Sequence, residues 1–411
     1  MPRKPALLPF IVAVALGSTA YIAAFTSASV AAREITGSAQ LSGLPSAFGT
    51  LGTAVGIGFL SAIMGRRGRR PGLLLGYALA VGGAALSVVA IAAASFPVLV
   101  AGSVAIGFGN AALQLSRYAA SDLVPEARRA AAVGMVVWGS TVGAVLGPNL
   151  VQPAGTVAEA LGRTALEGGL GVAFLGFGLT LVVTALFIRS TAPRSGKGAG
   201  SSIAADALLP DPPEPISRRA LVASARVRIA IIAMVSGQIV MVLVMTMAPV
   251  HVHEMGHDLA TVGFVISAHM LGMFALSPVS GRLVTRFGTV PIIYSGFAVL
   301  LAAAVLASVA RETDIPVLVA GLFLLGYGWN LAYVAGSSLL TSGASLAERI
   351  RLQGTVDVGV WVASGLASVS SGVLLSQFGY GVLSMTAGAL LLVPAIAIAA
   401  QRRRLPGEAG T

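Results

Sequence analysis

Apolar residues run in long blocks at about 8–32, 41–64, 72–93, 97–120, 130–152 and 169–189. They resume at about 227–250, 260–280, 291–310, 316–340, 353–376 and 382–400. Each block has roughly the 20 residues that a helix needs to cross a bilayer, and polar residues collect between the blocks. The pattern predicts an all-α membrane protein of twelve transmembrane helices, six on each side of a break at 191–226. That break is rich in Ser, Gly, Pro and charge (RSGKGAGSS, then LLPDPPEP) and reads as a flexible linker. The expected organisation is a six-helix bundle at 1–190, the linker at 191–226 and a second bundle at 227–411. Arg3 and Lys4 before the first block also fit a signal peptide. No small-residue cleavage site follows, and the block is long, so it reads as the first helix.

Composition supports the pattern. Of 411 residues, 56% are hydrophobic and only 10% charged, with a mean hydropathy of +0.89. A soluble chain carries about 25% charged residues, so a water-facing globular protein is excluded. The net charge of +11 suggests nucleic acid only if the basic residues share one face. They follow the helix ends instead. With both termini inside, the cytoplasmic segments hold 23 of the 26 Lys and Arg, leaving Arg33, Arg163 and Arg311 outside. This is the positive-inside rule, and it implies membrane lipid and no nucleic acid as the partner of the charge.

The two halves read as repeats. Gly107-Phe108-Gly109 returns as Gly326-Tyr327-Gly328, and Arg66-Arg67-Gly68 returns as Arg286-Phe287-Gly288, with offsets of 219 and 220. Two unrelated matches at nearly one offset point to duplication of a six-helix unit. The stretch GRRGRRP at 65–71, with Arg66, Gly68 and Arg69, resembles the loop motif of the major facilitator superfamily. GRLVTRFG, with Gly281, Arg286 and Gly288, resembles its second copy. The family's usual Asp is replaced by Gly65 and Thr285, which removes the partner for a cytoplasmic salt-bridge latch. The resemblance implies the superfamily's twelve-helix fold, both termini cytoplasmic, with alternating access around a central cavity.

All four His lie at 251–269 (His251, His253, His257, His269), and seven of eleven Met lie at 234–273. Met241 and Met245 are spaced i, i+4, as are His269 and Met273, so each pair shares one helix face. Taking Pro249 and a polar 251–258 loop as the outer end of helix seven, Met241 and His269 fall at similar depth, with Met245 above and Met273 below. Thioether and imidazole are soft-to-borderline neutral ligands that suit Cu(I) and release what they capture. A Met pair alone is a packing feature more often than a ligand pair, but an intramembrane His is a functional hypothesis by default. The segment with His251, His253, Met255 and His257, together with Glu254 and Asp258, is either a metal capture site at the mouth or a solvated turn. Cys is absent, so any metal path is free of thiolate.

The two pairs resemble those of the CcoA-type copper importers, a branch of the same superfamily with Met-x-x-x-Met on helix seven and His-x-x-x-Met on helix eight. The resemblance implies copper import across a bacterial inner membrane, supplying assembly of cbb3-type haem–copper oxidase. It also implies a monomer that takes copper from a periplasmic donor and gives it to a cytoplasmic chaperone. Other members of that branch resemble riboflavin importers, so the four ligands carry the assignment to copper. A metal sensor that binds without transport is a third class, disfavoured by the lack of any large soluble domain.

Helix five carries Gly134, Gly143, Gly147 and Pro148, which resemble the family's antiporter motif; close packing at the interface of the halves is the favoured alternative, and proton-coupled export of an organic molecule is the other. Asp357 near the start of helix eleven is a proton-coupling carboxylate or a helix cap. Asn110, Gln114, Gln238, Trp329 and Asn330 either line the cavity or bond across helices. Asp122, Glu126, Arg128 and Arg129 are cytoplasmic gate or surface charges. No phosphate-binding loop is present, so no ATP is implied.

Overall fold

A computed structural model describes residues 7–121, 129–188, 224–310, 314–342 and 346–402. Arg3 and Lys4, most of the expected linker, the loop charges Asp122, Glu126 and Arg128, and Arg311 lie outside them. The described residues form helices and contain no strand. In chain order they are α1 (Leu8–Thr36), α2 (Leu44–Arg67), α3 (Arg69–Ala92), α4 (Phe96–Ser121), α5 (Arg129–Ala160), α6 (Ala165–Phe187), α7 (Ala225–Glu254), α8 (Leu259–Phe274), α9 (Ser277–Phe287), α10 (Thr289–Val309), α11 (Ile315–Thr341), α12 (Leu346–Ala389) and α13 (Leu392–Arg402).

Among the described residues, ten segments are long and apolar enough to cross a membrane, against the twelve expected. One of the ten, Val356–Gln401, is 46 residues long and contains a break at Gly379, whose φ of 77° and ψ of 170° are not helical. The segment that contains α5 is not among the ten.

The chain divides into two compact units, one of residues 1–210 with 249–267 and one of residues 211–248 with 268–411. Within each, small residues bring helices together as they do in lipid. Gly107 of α4 faces the backbone of Gly49, Gly52 and Thr53 on α2, and Gly109 faces Ala80 of α3. Gly326 of α11 faces the backbone of His269, Gly272 and Met273 on α8, and Gly328 faces Gly296 and Leu300 of α10. The two repeated Gly-x-Gly motifs therefore do the same work, each bringing its helix onto two neighbours. The basic motifs match as well. Gly68 (φ 89°, ψ 168°) joins α2 to α3, and Gly288 (φ 82°, ψ 167°) joins α9 to α10.

Three departures from the sequence expectation bear on the candidate residues. First, α7 does not stop at Pro249 but runs to Glu254. Proline removes one donor, to the Met245 carbonyl, and membrane helices tolerate this. Second, the expected eighth span breaks between Phe274 and Ser277, where Pro278 cannot donate back to Phe274. Third, α12 begins at Leu346, so Asp357 sits about three turns inside it and is no N-terminal cap.

Candidate functional site

In the second unit, four side chains of the proposed metal path are buried: Met241 (7% exposed), Met245 (3%), His269 (0%) and Met273 (8%). The longer α7 changes their register. Met245 is nine residues from the end of α7 and His269 ten from the start of α8, so both lie at roughly 14–15 Å along their helices. Met241 and Met273 are 13 and 14 residues in, about one turn deeper. The depth pairs are therefore Met245 with His269 and Met241 with Met273, one step from the sequence-based ladder.

His269 turns toward α11, where its Nδ1 lies 2.9 Å from the Leu322 carbonyl oxygen. A carbonyl only accepts, so Nδ1 carries the proton and Nε2 the lone pair. That Nε2 is buried and has no hydrogen-bond partner among the described residues. An imidazole anchored through one nitrogen with the other free is the usual arrangement of a metal-ligating histidine.

Around the break after α8, Asn330 of α11 gathers the loose ends. Its Nδ2 donates to the Met273 carbonyl (2.7 Å) and Ser277 Oγ (2.8 Å), and its Oδ1 accepts from Ser280 Oγ (2.5 Å). One residue earlier, the Trp329 indole donates to Gln238 Oε1 (2.7 Å), and Gln238 Nε2 donates to Ser364 Oγ (2.8 Å). Trp329 stacks on Tyr333 with ring centroids 4.8 Å apart and meets Phe274 edge-on at 6.5 Å. Tyr333 donates to Asp357 Oδ1 at 3.3 Å. Gln238 and Met241 are three residues apart, so the polar network lies one turn from the first thioether. The sequence singled out Gln238, Trp329 and Asn330 without separating cavity lining from cross-helix bonding; here they bond across helices.

The 251–257 segment belongs to the first unit and is mostly helical, with His251 and His253 in the last turn of α7. Its acid and one of its imidazoles engage α1: Glu254 Oε1 lies 2.5 Å from Arg33 Nε, and His253 Nε2 lies 3.2 Å from Glu34 Oε1. Met255 and His257 follow in the turn before α8. Asp258 caps that helix by accepting from the Thr261 amide (2.9 Å) and hydroxyl (2.8 Å), and the amide bond above all holds its carboxyl below the usual range. Among the described residues no three His, Asp or Glu converge as a metal site.

Elsewhere in the first unit, Gly143 and Gly147 of α5 lie against Ala15, Thr19 and Ile22 of α1, so this stripe packs within one unit. The Pro148–Asn149 step that follows meets Gly263 and Ser267 of α8. Asn110 donates to Thr53 Oγ1 at 3.3 Å, again across helices. Arg70, beside the loop motif, donates to the Ala185 carbonyl at 2.6 Å, and Arg286 lies over the Phe287 ring at 5.2 Å.

These bundles belong to a known class. The family model of the Major Facilitator Superfamily matches residues 9–261 and 229–410, and the chain belongs to that superfamily. It is 32% identical over 402 residues to the uncharacterized MFS-type transporter YddS of Bacillus subtilis, covering 96% of this chain and 90% of that protein. It is 28% identical over 389 residues to the riboflavin transporter RfnT of Brucella anthropi, covering 94% and 93%. The crystal structure of a D-xylose–proton symporter superposes with a TM-score of 0.71 at 16% identity, covering 99% of each chain; that likeness concerns the fold.

Proposed function

We propose that this transporter imports copper across a bacterial inner membrane, with Met245, Met241, His269 and Met273 as successive ligands. The observation that carries the reading is the His269 imidazole: fully buried, anchored through Nδ1 to Leu322, with Nε2 free for a soft cation. Membrane burial of an ionisable ring without function is costly, and two depth-matched pairs supply the thioethers that Cu(I) favours. No ATP enters this reading; the energy comes from gradients. His251, Met255 and His257 serve at most as a weak first contact, since His253 is already held by Glu34. Met241→Leu and His269→Leu are expected to abolish copper accumulation at unchanged protein level. Uptake at the parent rate in both variants overturns the reading.

A second reading is import of a planar organic molecule such as riboflavin. The Phe274–Trp329–Tyr333 ladder, edged by the Gln238 amide, favours it, as does the 28% identity to a riboflavin transporter. Labelled copper and riboflavin, offered to the same proteoliposomes, separate the two. Copper flux without riboflavin flux supports the first reading, and the reverse supports the second.

A further inference from the structure

The two helices that carry the candidate ligands meet one stretch of α11. Gln238 of α7 takes the Trp329 indole of α11 at 2.7 Å, and Met234 lies against Gly336. Lower numbers on α7 thus face higher numbers on α11, so these helices run antiparallel. Seven residues on from Gln238 is Met245, and seven back from Trp329 is Leu322, about two turns in each case. The Leu322 carbonyl is the one that anchors His269. One turn deeper, Met241 on α7 corresponds to Gly326 on α11, and Gly326 faces the backbone of His269 and Met273. Both ligand pairs therefore come to residues 322–326 of α11, in agreement with their depths along α7 and α8.

What this stretch lacks is negative charge. Residues 225–248 of α7, 268–274 of α8 and 315–341 of α11 contain no Asp or Glu, and the chain has no Cys to supply a thiolate. Asp357 of α12 is bonded to Tyr333 at 3.3 Å. Tyr333 lies 11 residues from Leu322, roughly 16 Å along α11. The four candidate ligands are three thioethers and one neutral imidazole, none more than 8% exposed. A cation held among them sheds its water and gains no counter-charge. The cost of taking an ion out of water rises with the square of its charge, so a divalent ion is penalised about four times as heavily as a monovalent one. Divalent ions are held instead by sets that include thiolates or carboxylates, whereas soft monovalent ions are matched by thioethers.

We propose that this site selects by charge as well as by softness. It takes soft monovalent cations as a class, so Ag(I) is a second cargo, and Cu(II), Zn(II) and Ni(II) are excluded. The inference rests on the copper reading of the same four residues and extends it. Copper offered as Cu(II) becomes cargo only after gaining one electron from an external reductant such as ascorbate.

Proteoliposomes are offered one ion at a time: Ag(I) in chloride-free buffer, copper with ascorbate, Cu(II) alone and Zn(II). Metal inside is measured by elemental analysis. Because the chain has no Cys, silver has no protein thiol to modify. Ag(I) and Cu(I) are each expected to enter at least about 10-fold faster through the parent than through His269→Leu, since losing a ligand costs no less than losing its supporting shell. Cu(II) and Zn(II) are expected to enter both at the same background rate. Cu(I) entry without Ag(I) entry overturns this inference and leaves the copper reading standing. Zn(II) or unreduced Cu(II) entering the parent at the Cu(I) rate overturns selection by charge. Entry of neither Cu(I) nor Ag(I) overturns both readings. Met241→Asp supplies the missing charge and is expected to admit Zn(II); background Zn(II) entry in a variant that still carries Cu(I) overturns the charge argument. If that variant does not fold, the parent measurements decide.

Discussion

The proton of the His269 ring is fixed by Leu322. Because the Leu322 carbonyl at 2.9 Å only accepts, the nitrogen facing α11 carries the proton and the lone pair is left on Nε2. Selective nitrogen-15 labelling of histidine is expected to give a pyrrole-type signal for Nδ1 and a pyridine-type signal for Nε2 of this residue, and Cu(I) is expected to move only the second. The opposite tautomer contradicts the proposed ligand atom.

Gly68 and Gly288 share a backbone conformation open essentially to glycine. Gly68→Ala and Gly288→Ala are each expected to cost about 1–3 kcal/mol. A lowered unfolding midpoint in detergent is the readout. Loss at one position but not the other would mean that the two copies are no longer equivalent.

The α5 stripe makes a sharper comparison. A Cβ on Gly143 runs into the Ala15 carbonyl and Ser18 of α1, whereas a Cβ on Gly171 of α6 meets nothing. Gly143→Ala is expected to destabilise, with overpacking typically worth about 1–3 kcal/mol. Gly171→Ala is expected to be neutral or to stabilise by up to about 1 kcal/mol through helix propensity. Equal midpoints in thermal melts refute the packing assignment.

Asn330 closes the break after α8. Asn330→Leu deprives the Met273 carbonyl and two serine hydroxyls of their shared partner, at about 1–3 kcal/mol for each buried group left unsatisfied. Amide hydrogen exchange across 273–280 is expected to quicken in this variant more than across α10. Uniform exchange in both places would deny Asn330 its local role.

Much of this was legible in the sequence because the bilayer makes length and hydropathy sufficient. The apolar blocks mark most of the helices, and the two offsets near 220 mark glycines that prove equivalent in backbone and in packing. Pro249 misled, since a rule learned from soluble helices places an end where lipid allows the helix to continue for five residues. The break near Pro278 was equally written in the sequence, yet it lay inside a continuous apolar block and changed no hydropathy. Roles for Gln238, Trp329 and Asn330 were out of reach. They depend on the rotation of each helix about its axis, and an almost wholly apolar helix carries no polar face to report that rotation. The charge pairs of Arg33 and Glu34 with residues some 220 positions away were hidden for the same reason.

Gly379 shows the same left-handed turn as Gly68 and Gly288, within a helical run of 44 residues. At that corner a single residue does the work of a loop. An epitope tag or reporter domain inserted there has no slack to occupy, and a protease finds no extended strand to bind. Sidedness at that corner is therefore best read with a single-residue label, and the exposed Phe378 beside it offers a site.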